Sequence, residues 1–131
     1  MKLLLDTHIW IWSLLDPDRL SLSVRQALET DENELWLSPV SVWETLLLLE
    51  RGRLSTSDPP HLTVARMLIG GPFREAPLTH AVAAESRRLD LSYDDPTARF
   101  IAATAVVHAL ILVTGNRRLM DSDAYSVLSN T

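Results

Sequence analysis

The sequence predicts an α/β fold organised on a parallel sheet, and three observations carry that prediction. Short apolar runs of strand length alternate with longer segments of helical character. No two of those runs are joined by the tight turn of a hairpin, so successive strands must be linked through helices. The first run, Lys2 to Leu5, ends abruptly at Asp6, and open parallel sheets place their ligand crevices at the carboxyl ends of strands.

Taken in order, residues 2–5 are too short to bury anything as a helix and read as a buried strand. Thr7 to Leu15 has helical content and is closed by Asp16-Pro17-Asp18, because Pro17 disfavours helix at Asp16. Ser21 or Ser23 can cap a second helix running to about Thr30, with Val24, Ala27 and Leu28 on one face. Leu35-Trp36-Leu37 is the second strand, followed by a Ser38-Pro39 turn. Residues 40–51, VSVWETLLLLER, form the most apolar helix, with Ser38 or Ser41 as cap and Gly52 as the stop. Its four consecutive leucines predict cover on most sides.

Residues 55–60 are loop, and 61–69 a helix closed by Gly70-Gly71. Residues 73–78 are a third strand, weakened by flanking Pro72 and by Pro77. Thr79 caps a helix over 80–89, and 90–96 is a connector. The alanine-rich stretch 97–109 is a helix suited to close packing on a sheet. A strand at 110–113, ended by Thr114-Gly115-Asn116, and one at 126–128 complete a single domain over 1–131, with no internal repeat or linker.

Composition narrows the function classes. The chain has 131 residues, 47% apolar and 22% charged, which provides one sizeable core and argues against disorder. The absence of cysteine removes disulfides and thiolate metal sites and fits a reducing, cytoplasmic setting. No run is long enough to span a membrane, and no signal-peptide pattern opens the chain. A net charge of −5 argues against a broad basic nucleic-acid surface, yet leaves room for an acidic site offset by metal ions.

Asp6 at a strand end, Glu44 inside an apolar helix and Asp94-Asp95 before the alanine-rich helix are the acidic positions with chemical promise. A carboxylate in an apolar setting needs a partner, a cation or a water-filled cleft. In a parallel sheet, Asp6 and the end of strand 110–113 share an edge, which brings Asn116 near. Oxygen ligands without His or Cys suit Mg²⁺ or Mn²⁺. Each residue also has a plain structural reading. Asp6 and Asp95 can be helix caps, Glu44 an exposed first-turn acid, and Thr114 and Asn116 ordinary turn residues. His8, His61, His80 and His108 lack ligand spacing, and Trp10, Trp12, Trp36 and Trp43 read as core.

Together, LLLDTHIWIW, LSPVSVWE with ERGRL after it, APLTH, DDPTARFIAATA and LILVTGNRRL resemble the PIN-domain family, specifically the VapC-type toxin ribonucleases of bacterial toxin–antitoxin pairs. The stretches follow the family's order and cover nearly the whole chain. The resemblance implies a three-layer α/β/α sandwich and an acidic pocket that binds Mg²⁺ or Mn²⁺. It also implies RNA cleavage, a cognate antitoxin and a homodimer. It assigns Asp6, Glu44 and Asp95 as catalytic metal ligands, with Thr7, Thr114 and Asn116 supporting them. Arg99, Arg117 and Arg118 are candidates for phosphate contact, or plain surface arginines.

One departure stands out: Ala98 occupies the place of the family's second acid in its DPxDR segment. The substitution admits three readings: a change made to disarm a toxin, a naturally impaired member, or takeover by Asp94 or Asp95. A second departure is the apolar pair Leu47 and Leu48, where a basic residue is usual, which suits burial against another copy or an antitoxin. Two other classes compete with the nuclease. One is a PIN-fold binding module without catalysis. The other is a haloacid dehalogenase-type phosphatase, disfavoured because His8 sits where its second acid belongs; no glycine-rich phosphate loop supports a nucleotide-binding enzyme either.

Overall fold

The computed structural model describes residues Met1–Thr131. Five parallel strands lie in the order β3-β2-β1-β4-β5, where β1 is Lys2–Leu5, β2 Glu34–Leu37, β3 Phe73–Glu75, β4 Ile111–Thr114 and β5 Val127–Ser129. The helices are α1 (Thr7–Leu15), α2 (Leu22–Glu29), α3 (Pro39–Glu50), α4 (Pro60–Ile69), α5 (His80–Arg88) and α6 (Pro96–Val107). Single 3-10 turns at Pro17–Arg19 and Arg117–Leu119 complete the order.

The central strand divides the core. Side chains alternate across a strand, so Leu3 and Leu5 join Ile9, Trp10, Val24, Leu35, Leu37, Val64 and Met67 on one face. Leu4 points the other way, into a cluster with Val82, Ile101, Ala102, Ala105 and Leu112. Elements α1, α2 and α4 therefore cover one face and α5 and α6 the other, giving the three-layer α/β/α arrangement. The small residues of α6 allow close approach: Ala102 and Ala103 are completely buried.

Local signals set the element ends. Ser38, rather than Ser41, caps α3 by accepting from the Val40 amide at 3.1 Å, with Pro39 at the first helical position. Gly52 at φ +68° ends that helix in the left-handed conformation that glycine adopts freely. Strand β3 is shorter than residues 73–78, because the Ala76 amide makes the last bond to β2 (to Leu37 O, 2.9 Å) and Pro77 has no amide to continue it. The helix after Asp95 begins at Pro96, one residue earlier than expected, and closes before Ala109, which is left-handed at φ 53°.

Helix α3 corrects the expectation of cover on most sides. Its fully buried residues are Ser41 and Thr45, whereas Leu46, Leu47, Leu48 and Leu49 are half-buried and Trp43 is 54% exposed. Trp10 is the tryptophan that is fully core; Trp12 and Trp36 are half-buried. No helix is long and apolar enough to cross a membrane.

Candidate metal centre and cleft

The parallel register sets the first part of the site. Leu5 lies opposite Val113, so Asp6 emerges beside Thr114 at the carboxyl edge of the sheet. Asp6 leaves the strand with its amide bonded to Val113 O at 3.0 Å and serves as the N-cap of α1. One carboxylate oxygen accepts from the Thr7 amide at 2.8 Å and the other from the Thr114 hydroxyl at 2.6 Å. Asp6 is thus a helix cap, and its side chain also faces the cleft. Asn116 donates its amide to Thr114 Oγ1 at 3.0 Å and caps the following 3-10 turn through its side-chain oxygen.

A seam of small hydroxyl residues brings up the second acid. Thr7, Ser41 and Thr45 are all completely buried; the Thr7 hydroxyl donates to Ser41 Oγ at 2.9 Å, and the Thr45 hydroxyl to Ser41 O at 2.8 Å. These short side chains let α3 lie close on α1. Glu44, one turn beyond Ser41, consequently faces the same cleft as Asp6. Sequence reasoning missed this seam; Ser and Thr at i and i+4 in an otherwise apolar helix were the available signal.

Asp95 caps α6 through Ala98 N–H at 2.9 Å, and the cap directs it into that cleft. The cleft has a volume of about 680 Å³, and Asp6, Glu44, Asp95, Ala98 and Asn116 line it. Asp94 points away, exposed and paired with Arg87 at 3.2 Å, so it cannot stand in for an acid at position 98. Ala98 itself is 6% exposed in the first turn of α6, against the cleft wall.

Arg99 is corrected. It is 5% exposed and faces the protein interior, where its guanidinium donates to four backbone carbonyls: Ser86 (2.7 Å), Leu89 (2.8 Å), Leu91 (2.7 Å) and Tyr93 (3.1 Å). A guanidinium so occupied has no free face for phosphate, and Arg99 is not a surface residue either. Arg117 and Arg118 are exposed just past Asn116. His8, which carried no assignment, lies at the cleft beside the acids.

The acids of the cleft lack salt-bridge partners, although His8 beside them favours the charged forms of Asp6 and Glu44. None of Asp6, Glu44 or Asp95 takes part in an ion pair. Burial pushes the Asp6 carboxyl above its ordinary range, and the hydrogen bonds from Thr114 and Thr7 do not cancel that cost. Glu44 is raised for the same leading reason, opposed by the Thr7 hydroxyl and reinforced by the negative charge of Asp6.

No three His, Cys, Asp or Glu side chains converge tightly enough to ligate one ion directly. The donor set nonetheless fits a hard cation that keeps much of its hydration: Mg²⁺ sites of this kind use one or two carboxylates and several waters. Three carboxylates without salt bridges suit Mg²⁺ or Mn²⁺ better than zinc, and His8 is the one imidazole at the cleft.

A three-layer sandwich with acids gathered at the carboxyl edge of its sheet is the architecture of a PIN domain. The chain belongs to that family: the PIN domain model matches residues 3–124. A relative, Ribonuclease VapC22 of Mycobacterium tuberculosis (strain ATCC 25618 / H37Rv), is 35% identical over 117 residues, covering 88% of each chain. Among solved structures, VapBC2 from Rickettsia felis bound to a promoter DNA fragment aligns with a TM-score of 0.77 at 14% identity, covering 98% of both chains. DNA-bound VapBC from Salmonella typhimurium aligns at 0.74 with 18% identity, over 100% of this chain and 99% of the other. At these identities the two structures bear on the fold alone.

Proposed function

We propose that this chain is a metal-dependent endoribonuclease, the toxin member of a toxin–antitoxin pair, acting in the cytoplasm. Kinship with a protein named as a ribonuclease supports the reaction class. The observation that carries the site is the gathering of Asp6, Glu44 and Asp95 around one cleft with no salt bridge to any of them.

In this reading Asp6, Glu44 and Asp95 hold Mg²⁺ or Mn²⁺ directly or through water. The bound ion would lower the pKa of an attacking water and offset charge on the phosphate oxygens. Asp6 is the anchor, since two hydrogen bonds from opposite sides fix its orientation before any ligand arrives. Thr114 holds Asp6 from β4, and Asn116 keeps Thr114 in place. Thr7 sets the spacing of α1 and α3, and so of Asp6 and Glu44. Arg117 remains a candidate for phosphate contact. The half-exposed leucines of α3, with Trp43 and the 84% exposed Ile69, suit cover by an antitoxin or a second copy in a homodimer.

Ala98 bears on turnover. An acid there would stand at the cleft wall in the first turn of a helix, where the macrodipole favours negative charge. The chain as it stands is therefore expected to bind metal weakly and cleave slowly. Ala98→Asp should raise RNA cleavage with Mg²⁺ or Mn²⁺ by about tenfold or more, roughly the penalty for losing one metal-site interaction. If neither form cuts any RNA while both are folded, the enzyme reading fails.

A second reading is a PIN-fold module that binds an antitoxin or RNA without catalysis. Ala98 and the loose spacing of the acids favour it. Calorimetry with Mn²⁺ separates the two, because a pure binding module would show no divalent-ion affinity even as Ala98→Asp.

A further inference from the structure

On the face of the sheet covered by α1 and α2, the space between the elements is not filled. A hollow of about 260 Å³ lies there, walled by Leu5, Leu14, Leu20, Leu28, Leu35 and Phe73. Leu5 and Leu35 are buried sheet residues, so the floor of the hollow is β1 and β2 themselves. It shares no lining residue with the acidic cleft. Val24 is the one residue of α2 that is fully buried, and the rest of that helix leaves room beneath it. The wall before β3 is set by glycine: a Cβ on Gly71 comes within 2.8 Å of the Phe73 ring, so any side chain there displaces the ring.

Two opposite charges stand at this hollow without being used. Arg25 and Glu29 both line it, one helical turn apart on α2. Glu29 takes part in no ion pair, and the single ion pair of Arg25 reaches the exposed Asp18 at 3.8 Å, beyond hydrogen-bond range. Arg25 Nε–H is shut off from water and meets no acceptor. A guanidinium is thus held against an apolar hollow with no anion to match it. Cation first and acid four residues later is also the poorer order for a direct helical pair, which leaves both charges free for a ligand.

The chemistry of the walls selects the ligand. Arg25 matches a carboxylate, Glu29 an ammonium, and the leucines an apolar side chain. Residues four apart on a helix face lie about 5–6 Å from one another, so the two charges of the ligand must be close together, as they are on a single α carbon. The volume lies below the roughly 300 Å³ at which drug-sized ligands begin to fit, so the ligand is small. We propose that this hollow binds a free apolar α-amino acid of about the size of leucine. Its carboxylate meets Arg25, its ammonium meets Glu29, and its side chain enters between Leu28 and Leu35. The proposal is independent of the ribonuclease reading of the acidic cleft.

The test titrates the isotope-labelled chain with L-leucine and follows its amide signals by NMR. Signals of α2 and of residues 70–73 should move along saturating curves, while those of residues 95–98 stay still. Leucinamide lacks the carboxylate and 4-methylpentanoate lacks the ammonium; each should bind roughly tenfold more weakly, the loss of one charge-assisted hydrogen bond. Arg25→Gln should weaken L-leucine by a similar factor and leave leucinamide unchanged, because the amide has no carboxylate for Arg25 to meet. Leu28→Phe, which narrows the hollow from the half-buried side of α2, should weaken both ligands.

No saturable response to L-leucine overturns the proposal. So does 4-methylpentanoate bound as tightly as L-leucine, which makes the hollow a site for apolar acids instead. Shifts that gather around Asp6 and Asp95 rather than α2 overturn it as well. Unchanged L-leucine affinity in folded Arg25→Gln has the same force, since the assigned carboxylate contact is then absent.

Discussion

Replacing Arg99 with methionine should destabilise this protein severely. Arg99 carries a buried positive charge with no carboxylate beside it; four backbone carbonyls take that role. Two belong to the end of α5 and its cap, Ser86 and Leu89, where the helix presents unpaired carbonyls and the negative end of its dipole. The other two, Leu91 and Tyr93, lie in the connector leading to Asp95. Methionine keeps the length and apolar stem but strands the carbonyls of Ser86, Leu91 and Tyr93, and leaves Leu89 O with the Leu91 amide alone (2.9 Å). Hydrogen bonds to a charged group are worth about 1.5–3 kcal/mol each in isolation, but deletions within one network do not add. Leaving buried carbonyls unsatisfied costs about 1–3 kcal/mol each, so about 3–5 kcal/mol in all after that coupling, a large part of the roughly 5–15 kcal/mol that holds a domain folded. At about 3–5 °C per kcal/mol for a chain of this size, melting should fall by about 10–20 °C. Lysine keeps the charge but presents a point rather than a fork, so Arg99→Lys should lose about half as much. Calorimetric melting of the metal-free variants is the assay. A shift under about 2 °C for Arg99→Met would refute the reasoning. So would an Arg99→Lys protein of natural stability that had lost RNA affinity, which would return this residue to phosphate contact.

Other outcomes follow from the same geometry. Asp6 and Glu44 have folded-state pKa values raised above 3.8 and 4.5, so the folded chain binds more protons than the unfolded one in between. The stability they contribute is full below those ordinary values and is lost as pH rises through the raised ones. In EDTA, the melting temperature of the natural chain should fall relative to Asp6→Asn as pH rises across that window, and Mn²⁺ should remove the difference. Parallel pH curves for the two proteins would contradict this. Gly52→Ala meets nothing within 4 Å, so its effect isolates backbone strain at φ +68°, about 1 kcal/mol by urea denaturation. A neutral or stabilising result there would mean that α3 ends differently in solution.

The parallel sheet was legible because a buried central strand must be apolar on both faces, as Leu3, Leu4 and Leu5 are. The caps were legible because Asp6, Thr79 and Asp95 act on amides no more than three residues away. Glu44 was legible only as an oddity in its helix. What turns it toward Asp6 is a seam of hydroxyls joining residues 34 positions apart, which no local pattern encodes. The leucines of α3 misled for a related reason: hydrophobicity says that a residue gains by being covered, not which neighbour covers it. Arg99 was misread because a charged residue near a helix start is ordinarily solvated. Its burial depends on carbonyls released by the end of another helix, 10 and 13 residues upstream. Trp12 read as core until the fold set it at the cleft.

Asn130 has a bearing on when the molecule becomes competent. Its side chain reaches back across 109 positions to the Ser21 amide and across 111 to the Arg19 carbonyl. One wall of the cleft, the turn that carries Arg19, is therefore fastened from the far edge of the sheet, so the cleft is complete only once β5 and Asn130 have docked.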